Sequence, residues 1–372
     1  MTTGSQQEVE EALAAHIRRA AAEGSALCIR GGGTKDFYGN SPQGQALSTR
    51  ALAGVVSYEP SELVVTVAAG TPLTEVEDLL AQHNQCLAFE PPRFGPHATV
   101  GGMVAAGLSG PARANAGGLR EYVLGVRLIN GRGEILKFGG QVMKNVAGYD
   151  VSRVMAGSLG VLALIVEVSL KVMPRASAEA TLRFEWPEHE ALARLNAWGA
   201  QPLPLSASSW QMENGVPVLH LRLRGAVAAV EWACRQLGGA RMDAPEAQAH
   251  WDACREQTLP FFVARDESHA LWRLSVPQTA PTLGSAAEPV LIEWHGAQRW
   301  VQAPLDAEQA LREAARRAGG HATLFRRPAA GPRAPDEVFE PLSAPLERIH
   351  RELKKQFDPA GIFNPGRLYR AF

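Results

Sequence analysis

The segment best equipped for chemistry is Arg30-Gly31-Gly32-Gly33-Thr34-Lys35, which follows a short apolar run at 26–29. Three consecutive residues without a Cβ let backbone N–H groups converge on one point, so the run has the makings of an anion cradle at the carboxyl end of a strand. A flexible turn after a strand is the competing reading. Two better-known phosphate loops are excluded by residue order. A Walker loop needs Gly-Lys followed by Ser or Thr, whereas Thr34 precedes Lys35 and no helical run follows. A dinucleotide fingerprint spaces its glycines at the opening of a helix, and 36–43 reads as a loop. Neither a nucleotidase nor a nicotinamide dehydrogenase is supported.

A second glycine cluster lies downstream, where residues 95–160 hold 15 of the 36 glycines. Fixing glycine costs conformational entropy, so this density in an ordered stretch implies repeated close backbone approach. Within it, Pro96-His97-Ala98-Thr99-Val100-Gly101-Gly102-Met103-Val104-Ala105-Ala106-Gly107 places small residues along a helix start. Free N–H groups at such a start can lie against a phosphate or a flat ring.

Neighbouring elements must position these loops. Apolar spacing predicts a first helix over 6–23, stopped by Gly24, and then a strand over 26–29. A β-branched strand over 63–68 precedes a helix over 73–83 with Pro72 in its first turn. Asn130-Gly131 signals a hairpin between 122–129 and 134–138, and 161–172 reads as one long apolar strand. Beyond Pro174 glycine thins and the tryptophans gather between Trp186 and Trp300, which places a domain boundary near 176. Strand-like runs at 216–223, 271–276 and 290–294 alternate with helical runs at 227–237 and 307–318, an α+β pattern. A linker is expected at 331–335, then a helix over 346–357.

Composition narrows the classes. With 372 residues the chain should hold two or three domains, and its net charge of -1 argues against nucleic-acid binding. Only 310–372 leans basic, with 12 Lys+Arg against 7 Asp+Glu, and reads as a solvated face. Cys28, Cys86, Cys234 and Cys254 form no C-x-x-C, so no local zinc or iron–sulfur site and no metal site is expected, and a reduced cytoplasmic protein is the simplest inference. The first 22 residues do not read as a signal peptide, and the longest uncharged apolar stretch, 154–166, is too short to span a bilayer.

The ordered set Arg30 to Lys35, Leu47-Ser48-Thr49-Arg50, Glu59-Pro60-Ser61-Glu62-Leu63-Val64, Thr99-Val100-Gly101-Gly102-Met103 and Gly157-Ser158-Leu159-Gly160-Val161-Leu162 resembles the FAD-binding domain of the vanillyl-alcohol oxidase/p-cresol methylhydroxylase superfamily. The tail Phe357-Asp358-Pro359-Ala360-Gly361-Ile362-Phe363-Asn364-Pro365-Gly366-Arg367 is similar to its closing motif. Within the superfamily, Lys144-Asn145-Val146-Ala147-Gly148-Tyr149-Asp150 and the chain length resemble the FAD-binding E subunits of bacterial glycolate oxidases. The resemblance implies an α+β fold. A two-lobed p-cresol methylhydroxylase-type FAD-binding domain would span 1–175, with lobes of about 1–57 and 58–175. A smaller α+β cap would cover 176–330, and the segment 331–372 would pack back on the FAD domain. The implied activity is oxidation of glycolate, or another small 2-hydroxy acid, to the oxo acid through flavin. The implied partners are a homologous FAD-containing subunit and an iron–sulfur subunit, with attachment to the inner membrane only through them. A self-sufficient dehydrogenase, and a structural subunit whose flavin turns over little, stay open.

The resemblance also implies a cofactor site. Gly31, Gly32, Gly33 and Thr34, flanked by Arg30 and Lys35, would bind the pyrophosphate. Pro96, Thr99, Val100, Gly101 and Gly102 would line flavin and pyrophosphate, and Gly107 and Ser109 would face the ribityl or ring region. Gly160, Val161 and Leu162 would pack near the adenine, and Asn364 by the rings. Members that bind FAD covalently here carry His where this chain has Thr34, so non-covalent FAD is expected, and His97 reads as a loop residue. Hydroxy-acid dehydrogenases of the superfamily carry two histidines around Gly-Asp-Gly-Asn, but His295 and His321 stand isolated here. Arg222, Arg224, Arg273 and Arg299 are candidate carboxylate clamps that read as solvated strand residues. Lys144 and Tyr149 read either as polar groups near the flavin or as packing. The tryptophans from Trp186 to Trp300 read as core, with a partner surface as the competing reading, and no catalytic residue is assigned.

Overall fold

The computed structural model describes residues 3–140, 150–263, 266–283, 289–330 and 337–372. The chain divides into two compact units, one of Met1–Leu108, Gly118–Pro174 and Pro341–Phe372, the other of Ser109–Gly117 and Arg175–Glu340.

In the first unit a five-stranded antiparallel sheet runs in the order Val55–Glu59, Val64–Ala68, Leu164–Lys171, Val123–Ile129, Ile135–Gly139. Both faces of its middle strands are covered, which is why those strands read as continuous apolar runs rather than alternations. Ile165, Val168 and Leu170 join Leu73, Val76, Leu80, Val100 and Met103 from helices Leu73–Gln82 and Val100–Ala106 in one core. Leu164 and Val166 join Ala14, Ile17 and Ala20 of helix Thr3–Glu23 in another. That second core also holds the strand Leu27–Arg30, which pairs in parallel with Gln45–Ser48 and is bridged to Phe363 of the tail.

Two expectations shift. The long strand starts at Leu164 rather than 161, because Gly157, Leu159 and Gly160 take left-handed φ values of 82, 50 and 73° and hold the preceding segment in turns. The hairpin is not a two-residue Asn-Gly turn. Its loop closes through Asn130 N–H to Glu134 O at 3.1 Å, and the left-handed residue is Gly133. Gly131 serves a different need, since a Cβ there would come 2.8 Å from Asp358 Cα.

Asp358 follows helix Ala344–Phe357, whose Lys354 is buried with every proton used. Lys354 Nζ donates to Asp358 Oδ2 at 2.7 Å, Val161 O at 2.7 Å and Phe363 O at 2.8 Å. The same carboxylate accepts from the amides of Ile362 (3.2 Å) and Phe363 (2.7 Å), so the tail is fastened from both ends of one ion pair.

The second unit is built on an eight-stranded sheet in the order Ala240–Arg241, Ala178–Phe184, Val216–Gly225, Leu205–Glu213, Val290–Glu293, Gln298–Ala303, Ala270–Ser275, His321–Arg326. Its paired strands are antiparallel. Helices Glu188–Gly199 and Val227–Leu237 bury Leu192, Leu195 and Val230 against one half, and helix Glu308–Arg317 buries Leu311 and Ala315 against the other. Trp198, Trp210, Trp251, Trp272 and Trp300 are buried, whereas Trp232 stays exposed. The expected linker at 331–335 lies outside the described residues.

Replacing Lys354 by Met should cost about 3 kcal/mol, because it strands a buried carboxylate and two carbonyls without their donor. Urea unfolding followed by circular dichroism checks this; a loss below about 1 kcal/mol would show that the pair carries no such weight.

Candidate functional site

Strand Leu27–Arg30 delivers the glycine run, and the tail fixes where that strand ends. Leu27 N–H donates to Ile362 O at 2.7 Å, Asn364 N–H to Leu27 O at 2.8 Å, and Ile29 N–H to Asn364 Oδ1 at 2.6 Å. Asn364, at a left-handed φ of 41°, also donates from Nδ2 to Leu159 O at 2.7 Å. A Cβ on Gly160 would sit 2.8 Å from that Nδ2. The Asn364 side chain is therefore committed to tying three segments together.

Gly31 and Gly32 lie against the 97–99 loop. A Cβ on Gly32 would fall 1.5 Å from His97 O, and one on Gly31 2.3 Å from Thr99 Oγ1. The first reason for these glycines is thus backbone packing between two loops. Their amides tell a second story, since among the described residues nothing accepts from the N–H groups of Gly31, Gly32, Gly33 or Thr34. The carbonyls nearby are tied by arginines: Gly32 O accepts from Arg50 Nη2 at 3.3 Å, and Asp36 O from Arg367 Nη2 at 2.9 Å. Arg30 pairs with Asp36, and Lys35 Nζ donates to Arg93 O at 3.2 Å and lies 3.5 Å from Thr34 Oγ1. A half-buried run of unpaired amides ringed by Arg30, Lys35 and Arg50 suits an anionic group that approaches the backbone closely.

The helix Val100–Ala106 corrects an expectation. Its first amides are not free: Val100 N–H donates to Thr71 O (3.0 Å), Gly101 N–H to Ala69 O (2.7 Å) and Gly102 N–H to the capping Thr99 Oγ1 (3.2 Å). Loop 69–71 has taken up the donors that an isolated helix start would offer. Gly101 is needed for packing, with a Cβ only 2.7 Å from Ala69 Cβ, whereas Gly102 is half-buried and would meet nothing but Thr99 Oγ1, at 3.1 Å. The helix ends at Gly107, left-handed at 66°, whose Cβ would lie 2.8 Å from Gly157 Cα. Beside Gly157, the buried Ser158 hydroxyl has no hydrogen-bond partner among the described residues.

The remaining sequence candidates scatter. Val100, Val161 and Leu162 are core side chains, and Pro96 and His97 are exposed. Ser109 belongs to the second unit. Lys144 and Tyr149 lie outside the described residues. Arg222 and Arg299 are not solvated: Arg299 is fully buried, donating to Gly296 O (3.0 Å), Pro281 O (2.8 Å) and Ala280 O (2.8 Å), and Arg222 Nε donates to Ser206 Oγ at 3.2 Å beside the ring of Trp251. Burial in these cases holds the guanidinium as a structural crosslink. Arg224 pairs with Glu179 at 2.6 Å, Arg273 lies 5.4 Å from the centre of the Phe325 ring, and His321 is exposed.

His295 is the exception. Trp294 and His295 both take left-handed backbone, at 54 and 56°, where β-carbon sterics are unfavourable. The ring of His295 is buried, its Nε2 lies 2.5 Å from Asn115 Oδ1, its Nδ1 is unpartnered among the described residues, and its amide donates to Ser208 Oγ at 2.9 Å. Trp294 Nε1 donates to Gly110 O at 3.0 Å, and Arg113 lies over its ring. Strain in two adjacent non-glycine residues marks a constrained feature that periodicity does not reveal. Of the residues that frame the cradle, Arg50 and Arg367 stand inside motifs visible in the sequence, but their contacts depend on chain segments far away.

Residues 6–139 match the family described as FAD binding domain. The chain is 44% identical over 362 residues to glycolate oxidase subunit GlcE of Escherichia coli (strain K12), covering 97% of this chain and 98% of that protein. It is 30% identical over 182 residues to D-lactate dehydrogenase of Archaeoglobus fulgidus, covering 48% of this chain and 40% of the other. Among solved structures, an alkyldihydroxyacetonephosphate synthase superposes with a TM-score of 0.65 at 15% identity, over 95% of this chain and 74% of that one, a likeness of fold. The cradle suits the diphosphate of FAD: free amides, absent Cβ atoms and nearby cations are the groups such a ligand uses.

Replacing Gly32 by Val should displace the loop from His97 and reduce bound FAD at least about tenfold, read from the visible absorbance of purified protein, because a clash with a carbonyl cannot relax through a rotamer. Retention of the full absorbance would remove the loop from the site. A second expectation concerns pH. Burial pushes His295 from its usual 6.5 down to about 4. The unfolded chain takes up that proton as pH falls through about 6.5, whereas the folded unit resists until about 4, so the stability held above 6.5 drains away across this window. The share of that loss due to His295 should reach up to about 3 kcal/mol, and His295→Gln should remove that share, leaving a shallower fall from the other buried histidines, in urea melts taken between pH 7 and 4.

Proposed function

The chain belongs to the family of the FAD-binding E subunit of bacterial glycolate oxidase, FAD-linked oxidoreductases acting on the CH–OH group of hydroxy acids, and from that premise we propose that it is the FAD-binding subunit of a complex oxidising glycolate to glyoxylate. The observation that carries this reading is the run of unpartnered amides from Gly31 to Thr34 between Arg30, Lys35 and Arg50. Bound there, FAD supplies the two-electron acceptor for the α-carbon of the hydroxy acid. Gly31 to Thr34 hold its pyrophosphate through N–H groups, and the surrounding cations offset the phosphate charge. The absent Cβ of Gly102 leaves space at the helix start, and the Ser158 hydroxyl offers one further hydrogen bond. Thr34 has no imidazole to link covalently to the flavin ring, so the cofactor is held by these contacts alone.

The partners are those the resemblance implies, a homologous FAD-containing subunit and a separate iron–sulfur subunit that would accept the flavin's electrons, and the four cysteines of this chain are not spaced to hold such a cluster themselves. Among the described residues no helix is long and apolar enough to cross a membrane, and we place the complex on the cytoplasmic side, reaching the inner membrane through those partners.

The purified chain should be yellow and release intact FAD on heating or acidification. Its anaerobic flavin absorbance, recorded before and after adding glycolate, should bleach when the partner subunits are present. Colourless protein that takes up no added FAD, or a complex whose flavin stays oxidised under glycolate, would overturn the assignment.

A further inference from the structure

A cluster of ligand-type side chains in the second unit has no part in anything described so far. Strands Leu205–Glu213 and Val216–Gly225 form an antiparallel hairpin that places Glu213 near its turn and His220 within it. Helix Ala244–Glu256 lays His250 against His220, with ring centres 4.0 Å apart. One carboxylate oxygen of Glu213 and one ring nitrogen from each histidine all lie within 4.8 Å of one another, and Glu213 Oε1 is 3.7 Å from His220 Nδ1. Gln211 Nε2 donates to that same oxygen at 3.0 Å and fixes its direction.

These are unusual neighbours for a merely packed core. His220 is 3% exposed, yet its Nδ1 has no hydrogen-bond partner among the described residues, an arrangement that folded proteins ordinarily avoid. Burial, assisted by the charge of Arg183, pushes His220 down to about 4, and burial with the neighbouring His220 pushes His250 down to about 3. Arg222, the nearest cation on the hairpin, is already engaged by Ser206 Oγ and the Trp251 ring. One helical turn after His250, Cys254 Sγ lies 3.5 Å from His250 Nε2, so a thiol stands next to the cluster.

The geometry points to a divalent transition-metal site of the zinc class, ligated by Glu213, His220 and His250, with Gln211 orienting the carboxylate. Two imidazoles and one carboxylate are a donor set that zinc accepts, and three protein ligands leave a further position for water or the adjacent thiol. The ion would bind helix Ala244–Glu256 to the sheet. No spacing rule could have found it, since its ligands come from two strands and a helix and His220 and His250 look isolated in sequence. The inference is independent of the flavin assignment.

The test uses the full chain, stripped with a chelator and titrated with Co2+ and, in competition, with Zn2+. About one equivalent of Co2+ should bind and give a visible ligand-field spectrum, and Zn2+ should abolish it. His220→Ala and His250→Ala should each lose the spectrum, and Gln211→Ala should weaken binding about tenfold as an orienting residue does. FAD content and circular dichroism, measured on the same samples, should stay unchanged. A wild-type chain that gives no Co2+ spectrum at stoichiometric metal overturns the proposal whatever the variants do, and so does a spectrum that persists in folded His220→Ala and His250→Ala.

Discussion

The ion pair between Lys354 and Asp358 holds the first unit in working order. Burial disfavours the Lys354 ammonium and Asp358 counters that penalty, so neither charge is tolerable without the other. Because Lys354 also grips the carbonyls of Val161 and Phe363, and Asp358 the amides of Ile362 and Phe363, a single pair aligns the tail with the turn at 157–162. Asn364, next in the chain, then reaches Ile29 and Leu159. The strand that presents the glycine run is four residues long and, among the described residues, has just one regular strand partner, Gln45–Ser48. Without the tail it would have little to set its end point, and the amides of 31–34 would converge on nothing in particular.

The glycines themselves answer to two demands at once. Gly31, Gly32 and Gly101 are forced by neighbouring atoms of the protein, and Gly107 and Gly160 by both a neighbour and a left-handed backbone. An added Cβ on Gly102 would meet only the Thr99 hydroxyl oxygen, at 3.1 Å. Dense glycine here mostly records how closely loops lie on one another, and ligand binding uses the backbone that this closeness exposes. A cradle made of amides needs both its shape and its unpaired donors, and the first is achieved by protein–protein contact.

Much of this was legible in the sequence because it is local. The helix over 227–237, the strand over 64–68 and the glycine loop after residue 30 follow from periodicity and from residues with special backbone freedom. What was not legible is what depends on remote partners. Nothing local says that loop 69–71 will consume the amides of 100 and 101, that Asp358 will demand Gly131, or that Arg222 and Arg299 will be buried crosslinks. The same holds for the strained Trp294-His295 pair, whose Asn115 partner lies 180 positions away. The five-residue hairpin loop illustrates the boundary: Asn130-Gly131 correctly marked a reversal, while its geometry was decided by Gly133 and the tail.

The nine residues Ser109–Gly117 sit in the first unit's stretch of sequence but pack as part of the second, with helix Arg113–Ala116 against strand Leu205–Glu213 and Asn115 at His295. The second unit is consequently not a cassette. A recombination or cloning junction at residue 175 would separate the sheet from a piece of its own covering and leave His295 without its amide partner. Lineages exchanging the second unit on this scaffold would have to carry the loop along with the sheet, or rebuild it, which ties the divergence of the two halves to a short stretch of chain that an ordinary domain boundary would assign to the wrong side.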